Sequence, residues 1–565
     1  MSIQDLCIVG EDKLKRSFIL PKKILWKTEG VEGDALLVES KLEQIYVGMP
    51  SPTKLSTENG KKAAILLDFG SELAGGVELL VSKASNPDGV HMRIRFGESA
   101  SEAMMAIGEK NATNDHATRD MSVLVTRWSQ QRFGDTGYRF VYIELEDEEA
   151  WIDLAAVRGV FTYRDIPYLG SFGCENKRLE QIYNVSAYTV HLCMQNMLWD
   201  GIKRDRLVWI GDTHPEMLAI RSVFGENEVV AEALTYISKT NRLPEWPNKH
   251  TTYGYWYLMI LWDWYWYTGK EELVWELKNY WKGLIELLIS QVHEDNDELL
   301  NEEEFKCGFF IDWPTKGCEE ATAGTYALFR LALLSSAKLC EVTGESELQN
   351  RCLEVADLLS QKELPHNNRK QIVALMKLAG MLDDETAGAV LIKDGGKGMS
   401  TFMSYYILSA VVDTVGIDPA IEMMEEYYGA MLDAGATTFW EDFDLEWAKE
   451  GGRIDELPSQ DGYDIHGDNG RFCYQGMRHS LCHGWSAGPA AILPERLLGI
   501  EILAPGCKKL SVKPNLGKLT WAKGTYPTPY GLVHVYAWRE GEQTLVDITA
   551  PDEIEIVKEG IYEKQ

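Results

Sequence analysis

The hydrophobic period of this chain changes twice, and those changes confine what it can build. Up to about residue 165 the apolar residues come in short runs or alternate with polar ones, as in Val90-His-Met-Arg-Ile-Arg-Phe, the period of a half-buried strand. From Tyr168-Leu-Gly onward, Leu179, Ile182, Tyr183, Ser186, Val190, Cys193 and Met197 fall on one stripe at helical spacing. Past Gly499 the alternation returns. Val533, Val535 and Ala537 interleave with His534, Tyr536 and Trp538, and Gly541 leads into Thr544-Leu-Val-Asp-Ile-Thr, an antiparallel hairpin.

A chain of 565 residues is too long for one core. The pattern predicts a multidomain α+β protein, with an N-terminal antiparallel β-sandwich over 1–165, a toroid of paired helices over 166–502 and a small C-terminal β domain over 503–565. Helices are expected at 254–267, 271–293, 321–343 (closed by Gly344) and 347–361. Ser400 is expected to cap one running to 412, and Asp418-Pro419 to open another over 420–432. The polar stretch 99–120 reads as a long loop, and Gly395-Gly-Lys-Gly as a helix connection, because no strand precedes it and no Ser or Thr follows the lysine.

The formal net charge of -31 repels nucleic acid and anionic membranes. No apolar run reaches the roughly 18 residues of a membrane span, and the first residues lack the basic start of a signal peptide. The ten cysteines show no CxxC pair, and Cys482-His483 lacks zinc spacing. These features predict reduced thiols, a cytoplasmic location, no metal and no organic cofactor, and they leave room for a homodimer. Eighteen tryptophans and 25 tyrosines are what a carbohydrate-binding surface requires, although most such rings serve as core.

Asp200-Gly-Ile-Lys-Arg-Asp-Arg-Leu-Val-Trp-Ile-Gly-Asp212 gathers Asp200, Asp205, Asp212, Arg204, Arg206 and Trp209. Carboxylates and guanidinium groups bind hydroxyls, an indole covers an apolar ring face, and one carboxyl can donate a proton. A charged turn between helices is the plainer reading. Inverting glycoside cleavage needs a second carboxylate across the scissile bond, about 6.5–9.5 Å from the first. Ala434-Gly-Ala-Thr-Thr-Phe-Trp-Glu441 is the candidate source, because small residues allow a tight turn that delivers Glu441 beside Trp440. Trp256, Trp262, Trp313 and His483 are candidates to complete the pocket, with core packing the alternative for the tryptophans.

These motifs resemble the inverting α-L-rhamnosidases of glycoside hydrolase family 78, six-hairpin enzymes. The Asp200–Asp212 stretch, Gly435-Ala-Thr-Thr-Phe-Trp-Glu441, Ser480-Leu-Cys-His483-Gly-Trp, Phe69-Gly to Gly75 and Arg95-Phe-Gly-Glu98 carry the resemblance. It implies an (α/α)6 barrel between two β-sandwiches, Asp205 as general acid and Glu441 as general base. Asp200, Arg204, Trp209, Asp212, His483 and one or more of Trp256, Trp262 and Trp313 would hold the sugar, whose C6 methyl would explain the aromatic rings.

The chain departs from the family in having Gly201-Ile202 where many relatives have Cys-Pro. It also has Asp205-Arg206 where many have Asp-Glu-Arg, which leaves Asp200 and Asp212 as alternative donors. The implied function is removal of terminal α-L-rhamnose from small rhamnosides. The alternatives are another inverting six-hairpin glycosidase of different sugar specificity and a non-catalytic carbohydrate-binding protein.

Overall fold

The computed structural model describes residues 10–557 apart from 40, 42, 47, 49–52, 368, 460, 461 and 473. Cys7 and Cys473, expected as reduced thiols, lie outside the described residues, as do the two ends of the expected terminal domains.

Nine strands form the N-terminal sheet. Its main path runs Val31–Glu32, Thr53–Ser56, Trp151–Tyr163, Ala64–Ala84, Ser129–Leu145, Val90–Gly97, Asp120–Val125. Lys15–Ile19 pairs with Trp151–Tyr163, and Lys23–Lys27 with Ala64–Ala84. Ala64–Ala84 serves both halves of the sheet because irregularities at Asp68/Leu73 and Gly75/Val77 bend it. At Gly75, φ is +136°, and a Cβ would stand 2.0 Å from the Val160 carbonyl oxygen, so only glycine fits that bend. Alternate residues Ile65, Leu67, Val77, Leu79 and Val81 meet Ile94, Val141, Ile143, Ile152 and Leu154 in a buried core.

The stretch 99–120 is not a plain loop. Ala100–Met104 is a helix whose N-cap Ser99 accepts a hydrogen bond from the Glu102 amide, and residues 100 to 103 are buried. One turn of helix is too short to show a period, and its glutamate suggested solvent.

The helical body begins with Lys177–Cys193. Tyr253–Thr268 is buried on nearly every side, as befits a helix surrounded by others. It ends at Gly269 in the left-handed region, as Ala321–Thr343 ends at Gly344 before Ser346–Ser360 turns back. Three expectations fail locally. The segment 271–293 is two helices, Glu271–Glu276 and Lys278–Ile289, broken at Leu277. Ser400 caps nothing; the helix is Ser404–Val415, and the Ser400 hydroxyl donates to the buried Asp312 carboxylate instead. Asp418 lies inside Ile417–Asp433, whose N-cap is Gly416, and its carboxylate accepts from the Lys518 amide. In both latter cases a tertiary partner took the side chain that capping would have used.

The C-terminal hairpin is present as Gly531–Glu540 and Gln543–Thr549. Its sheet runs Ser171–Cys174, Trp521–Thr528, Gly531–Glu540, Gln543–Thr549, so a strand from before the first long helix completes it. A second sheet joins Ile500–Ala504, Lys509–Val512 and Glu555–Val557, the last pair parallel. Among the described residues no helix is long and apolar enough to cross a membrane.

The N-terminal sheet abuts the segment that follows the first helix. A Cβ on Gly137 would stand 2.7 Å from the Ile202 side chain and 2.8 Å from the Lys203 amide nitrogen. Gly137→Ala is expected to pry the two apart at about 1–3 kcal/mol, the usual cost of overpacking. A lowered urea midpoint would show it; an unchanged midpoint would mean this joint is compliant.

Candidate active site

Segment 200–207 closes on itself. The Asp200 amide donates to the Leu207 carbonyl at 3.1 Å, and the Leu207 amide to the Asp200 carboxylate at 3.0 Å. An isolated bridge joins Gly201 to His483, and the Gly484 amide donates to the Asp200 carbonyl at 2.7 Å. A Cβ on Gly484 would lie 1.8 Å from the Glu216 carboxylate, so any larger residue there would displace that side chain. Asp205 and Arg206 follow one another in the left-handed region, each with φ +56°. Two such non-glycine residues in succession cost about 1–3 kcal/mol each, and partners hold both. The Asp205 amide donates to His116 Nδ1 at 2.8 Å, and Arg206 binds Asp135 at 3.1 Å with its guanidinium 4.5 Å from the Trp199 ring.

The result is a buried ionic cluster. Arg204 Nη1 donates to Asp205 at 2.7 Å, and Nη2 to both oxygens of Glu441 at 2.6 Å. Its Nε donates to the Arg478 carbonyl at 3.1 Å, and its flat face lies 3.9 Å from the centre of the Tyr474 ring. His483 Nε2 stands 3.5 Å from Glu441, 3.6 Å from Asp200 and 4.0 Å from Asp212. Glu441 is fixed from its backbone as well. Its amide donates to the Ser480 carbonyl at 3.0 Å, and its carbonyl accepts from the Trp485 indole at 2.9 Å and from Thr401.

The charges follow from this geometry. Burial pushes the Glu441 carboxyl up, but the Arg204 guanidinium and then His483 outweigh it and hold the group down at about 2. Burial pushes His483 down, but Glu441, then Asp200 and Asp212, lift it to about 9, so it is an imidazolium at neutral pH. Asp200 is raised by burial despite His483, and Asp212 is raised well above the usual carboxylate range by burial first. One turn along Thr213–Val223, burial raises Glu216 in the same way.

The structure therefore brings together Asp200, Arg204, Asp205, Asp212, Glu441 and His483. Trp209 is half-buried, edge-on to Tyr253 at 6.1 Å, and the Tyr253 hydroxyl donates to Asp212 at 3.4 Å. Trp313 lies on the open side, 5.7 Å from Tyr474 between ring centres. Trp256 sits behind, fully buried, its indole bound to the Tyr406 hydroxyl. Trp262 is not brought here. It lies nine positions after Tyr253 on the same helix, roughly 14 Å along it, and stacks on Trp266, whose indole bonds the Ile502 carbonyl at the C-terminal sheet. His483 Nδ1 in the cluster and Trp209 Nε1 on the segment that leads to Asp212 are buried without a partner among the described residues.

Several residues here carried no signal in the sequence. Tyr474 belongs to a two-residue strand, Tyr474–Gln475, and His116 lies in the supposed insertion, 3.0 Å from the Asp205 carboxylate. Lys203 reaches from the same segment to Glu98 and Glu102, 3.1 Å from each. These glutamates and His466 present ligand atoms within 4.8 Å of one another, and the Lys203 ammonium is the cation that meets the two carboxylates. The Glu98 carboxylate also accepts from the Leu481 amide at 2.5 Å. In the sequence Glu98 stands out only as the end of the Arg95-Phe-Gly-Glu98 segment that carries the family resemblance.

Residues 167–357 match the family model of the bacterial α-L-rhamnosidase six-hairpin glycosidase domain, and residues 499–556 that of the bacterial α-L-rhamnosidase C-terminal domain. No curated protein matches by sequence. Among solved structures, the chain is similar to the family 78 rhamnosidase of Bacillus sp. GL1, with TM-score 0.74, 20% identity, and 94% of this chain covering 56% of that one. It is similar to the α-L-rhamnosidase from Dictyoglumus thermophilum, with TM-score 0.69, 18% identity, and 89% of this chain covering 57% of that one. It is also similar to the rhamnosidase from Klebsiella oxytoca with rhamnose bound, with TM-score 0.66, 17% identity, 86% of this chain and 96% of that one. At these identities the likeness is one of fold. The chain spans less than three fifths of the first two structures' own length.

The cluster predicts a pH signature. A group raised on folding stabilises the fold fully below its unfolded pKa, and that contribution is lost as pH climbs through its folded pKa. For His483 the window runs from 6.5 to about 9, worth on the order of 3 kcal/mol. Glu441 has the opposite sign, its contribution being lost only as pH falls from 4.5 to about 2. The thermal midpoint is expected to drop between pH 6.5 and 9 in the wild type and to vary less in His483→Gln. Parallel profiles in the two proteins would mean His483 is neutral.

Proposed function

We propose that this chain, which carries the six-hairpin glycosidase and C-terminal domains of the bacterial α-L-rhamnosidases, is an inverting exo-glycosidase that removes terminal α-L-rhamnose from small rhamnosides. The observation that carries the reading is the single Arg204 guanidinium shared by Asp205 and Glu441. The terminal nitrogens of a guanidinium are roughly 2.3 Å apart by covalent geometry, which limits the two bonded carboxylate oxygens to within about 8 Å of each other. That limit is compatible with an inverting pair, about 6.5–9.5 Å apart with a water between sugar and base.

In this scheme Glu441 takes a proton from the water as the water oxygen adds to C1. Asp205 gives its proton to the departing glycosidic oxygen, the C1–O bond breaks, and the configuration at C1 inverts. A carboxylate held near 2 by Arg204 is a weak base. Its strength recovers when Arg204 turns from it to the hydroxyls of an arriving sugar, so binding and activation are one event. His483 Nδ1 and Trp209 Nε1 supply donors for hydroxyls, and satisfying each recovers about 1–3 kcal/mol of unmet desolvation. Asp200 and Asp212 accept or donate to further hydroxyls, and Trp313 and Tyr474 border the aglycone. Because burial raises Asp212 well above the usual carboxylate range, it is the second candidate for the donor. No cofactor enters the scheme. The eight described cysteines are free, which fits the cytoplasm.

Hydrolysis of p-nitrophenyl α-L-rhamnoside followed by NMR is expected to release β-L-rhamnose first; initial α product would refute inversion, and turnover confined to another aryl glycoside would reassign the sugar. Glu441→Gln and Asp205→Asn are each expected to fold and to lose about 10²–10⁴-fold in kcat; Glu441→Gln should also unfold at a lower midpoint, because it leaves the Arg204 charge less compensated. Full activity in Asp205→Asn with loss in Asp212→Asn would move the donor to Asp212.

A further inference from the structure

Directly after Glu441 the chain borders a cavity of about 320 Å³, lined in part by Asp442, Phe443 and Asp444. Arg369, Lys370, Lys393, Lys397 and Arg471 also line it. The chain as a whole has 87 acidic against 56 basic residues, so five cations around one small cavity run against its composition. Asp394, Asp442 and Asp444 also line it, which leaves the basic groups in excess. Arg369 and Lys393 have no ion pair among the described residues. Lys397 and Arg471 do, with Glu446 at 3.2 Å and Asp444 at 3.1 Å, but these are exposed pairs of the kind worth only about 0–1 kcal/mol, readily exchanged for a better partner. Lys370 is 5% exposed and donates to the Gly395 carbonyl; burial lowers it to about 8, which leaves it a cation at neutral pH.

A strip of aromatic rings links this cavity to the ionic cluster. Tyr474 lies under Arg204 at 3.9 Å, Trp313 is 5.7 Å from Tyr474, and Phe472 is 6.0 Å from Trp313, near-parallel to it. Phe472 is 41% exposed and forms the cavity's apolar edge. A large ring at the surface between two polar sites is a platform for a sugar face, and a backbone φ of +61° at Phe472 holds it there at a conformational cost. A saccharide leaving Arg204 along this strip arrives among the cations.

We propose that this cavity is an aglycone subsite for a saccharide that carries an anionic group, a carboxylate or a sulfate. The inference rests on the rhamnosidase reading above and adds the class of substrate. Charge-assisted contacts from Arg369 and Lys393 supply the discrimination.

The test compares kcat/KM for rhamnosyl saccharides of two and three residues whose reducing-end sugar is glucuronic acid, glucose 6-sulfate or glucose. The wild type and an Arg369→Ala/Lys393→Ala double variant are assayed at low and high salt, with p-nitrophenyl α-L-rhamnoside as reference. The anionic substrates are expected to be favoured about tenfold at low salt, equivalent to about 1.4 kcal/mol. The double variant and high salt should both abolish that preference, while the aryl rhamnoside is cleaved as before. A preference for only one of the two anions identifies the group. Equal kcat/KM for charged and neutral substrates, or a preference that survives the double variant, overturns the proposal. If no rhamnoside is cleaved, the rhamnosidase reading falls. Calorimetric binding of the same saccharides to the two proteins then decides the cavity: charge-selective binding lost in the variant keeps it, and its absence ends it.

Discussion

The guanidinium of Arg204 is the interaction on which this architecture turns. It touches Glu441 from one loop, Asp205 from its own, the Arg478 carbonyl from a third and the face of Tyr474. Removing one partner from a buried ion pair costs about 3–5 kcal/mol, because the other charge is left uncompensated. Three segments far apart in the chain are thereby kept in register by one side chain. The strained residues that follow, Asp205 and Arg206, are tolerated because that register over-determines them.

The N-terminal sheet belongs to this arrangement. Glu98 and Glu102 grip Lys203, the residue before Arg204. Asp115 pairs with Arg478 at 2.8 Å, and His116 holds the amide of Asp205. Arg139 joins Asp68 of the sheet to the Gly435 carbonyl, in the turn that delivers Glu441. The Glu441 turn is thus braced by the sheet itself, and Asp205 by the helix and loop that follow the strand Val90–Gly97. A cluster this rich in buried charge would otherwise relax toward solvent, because burying unpaired charges costs several kcal/mol apiece.

Much of this was legible in the residues. The switch of period located the sheet, the helices and the closing hairpin, because burial on one face imposes that period whatever the partner. The Asp200–Asp212 motif and Glu441 were legible because their mixture of charge and indole has no use on a plain turn. Ser400 and Asp418 were misread as caps because a side chain that can cap a helix can equally bond a distant group, and the chain records only the capacity. His116, Tyr474 and Glu102 left no trace, since each is an ordinary polar or aromatic residue until the fold sets it beside Asp205, Arg204 and Lys203 respectively.

The tryptophans show where such reading stops. Trp209, Trp256, Trp262 and Trp313 looked equivalent as candidate sugar platforms, and hydrophobicity cannot separate them. Their indole N–H groups begin to do so. Trp256 donates to Tyr406, Trp266 beside Trp262 to Ile502, and Trp485 to the Glu441 carbonyl, each a bond that fastens one part of the fold to another. Trp209 has no such bond among the described residues, although its nitrogen is buried. A buried donor left without an acceptor is destabilising, and folds rarely keep one. Among these tryptophans, Trp209 is therefore the one whose buried N–H still has a bond to make.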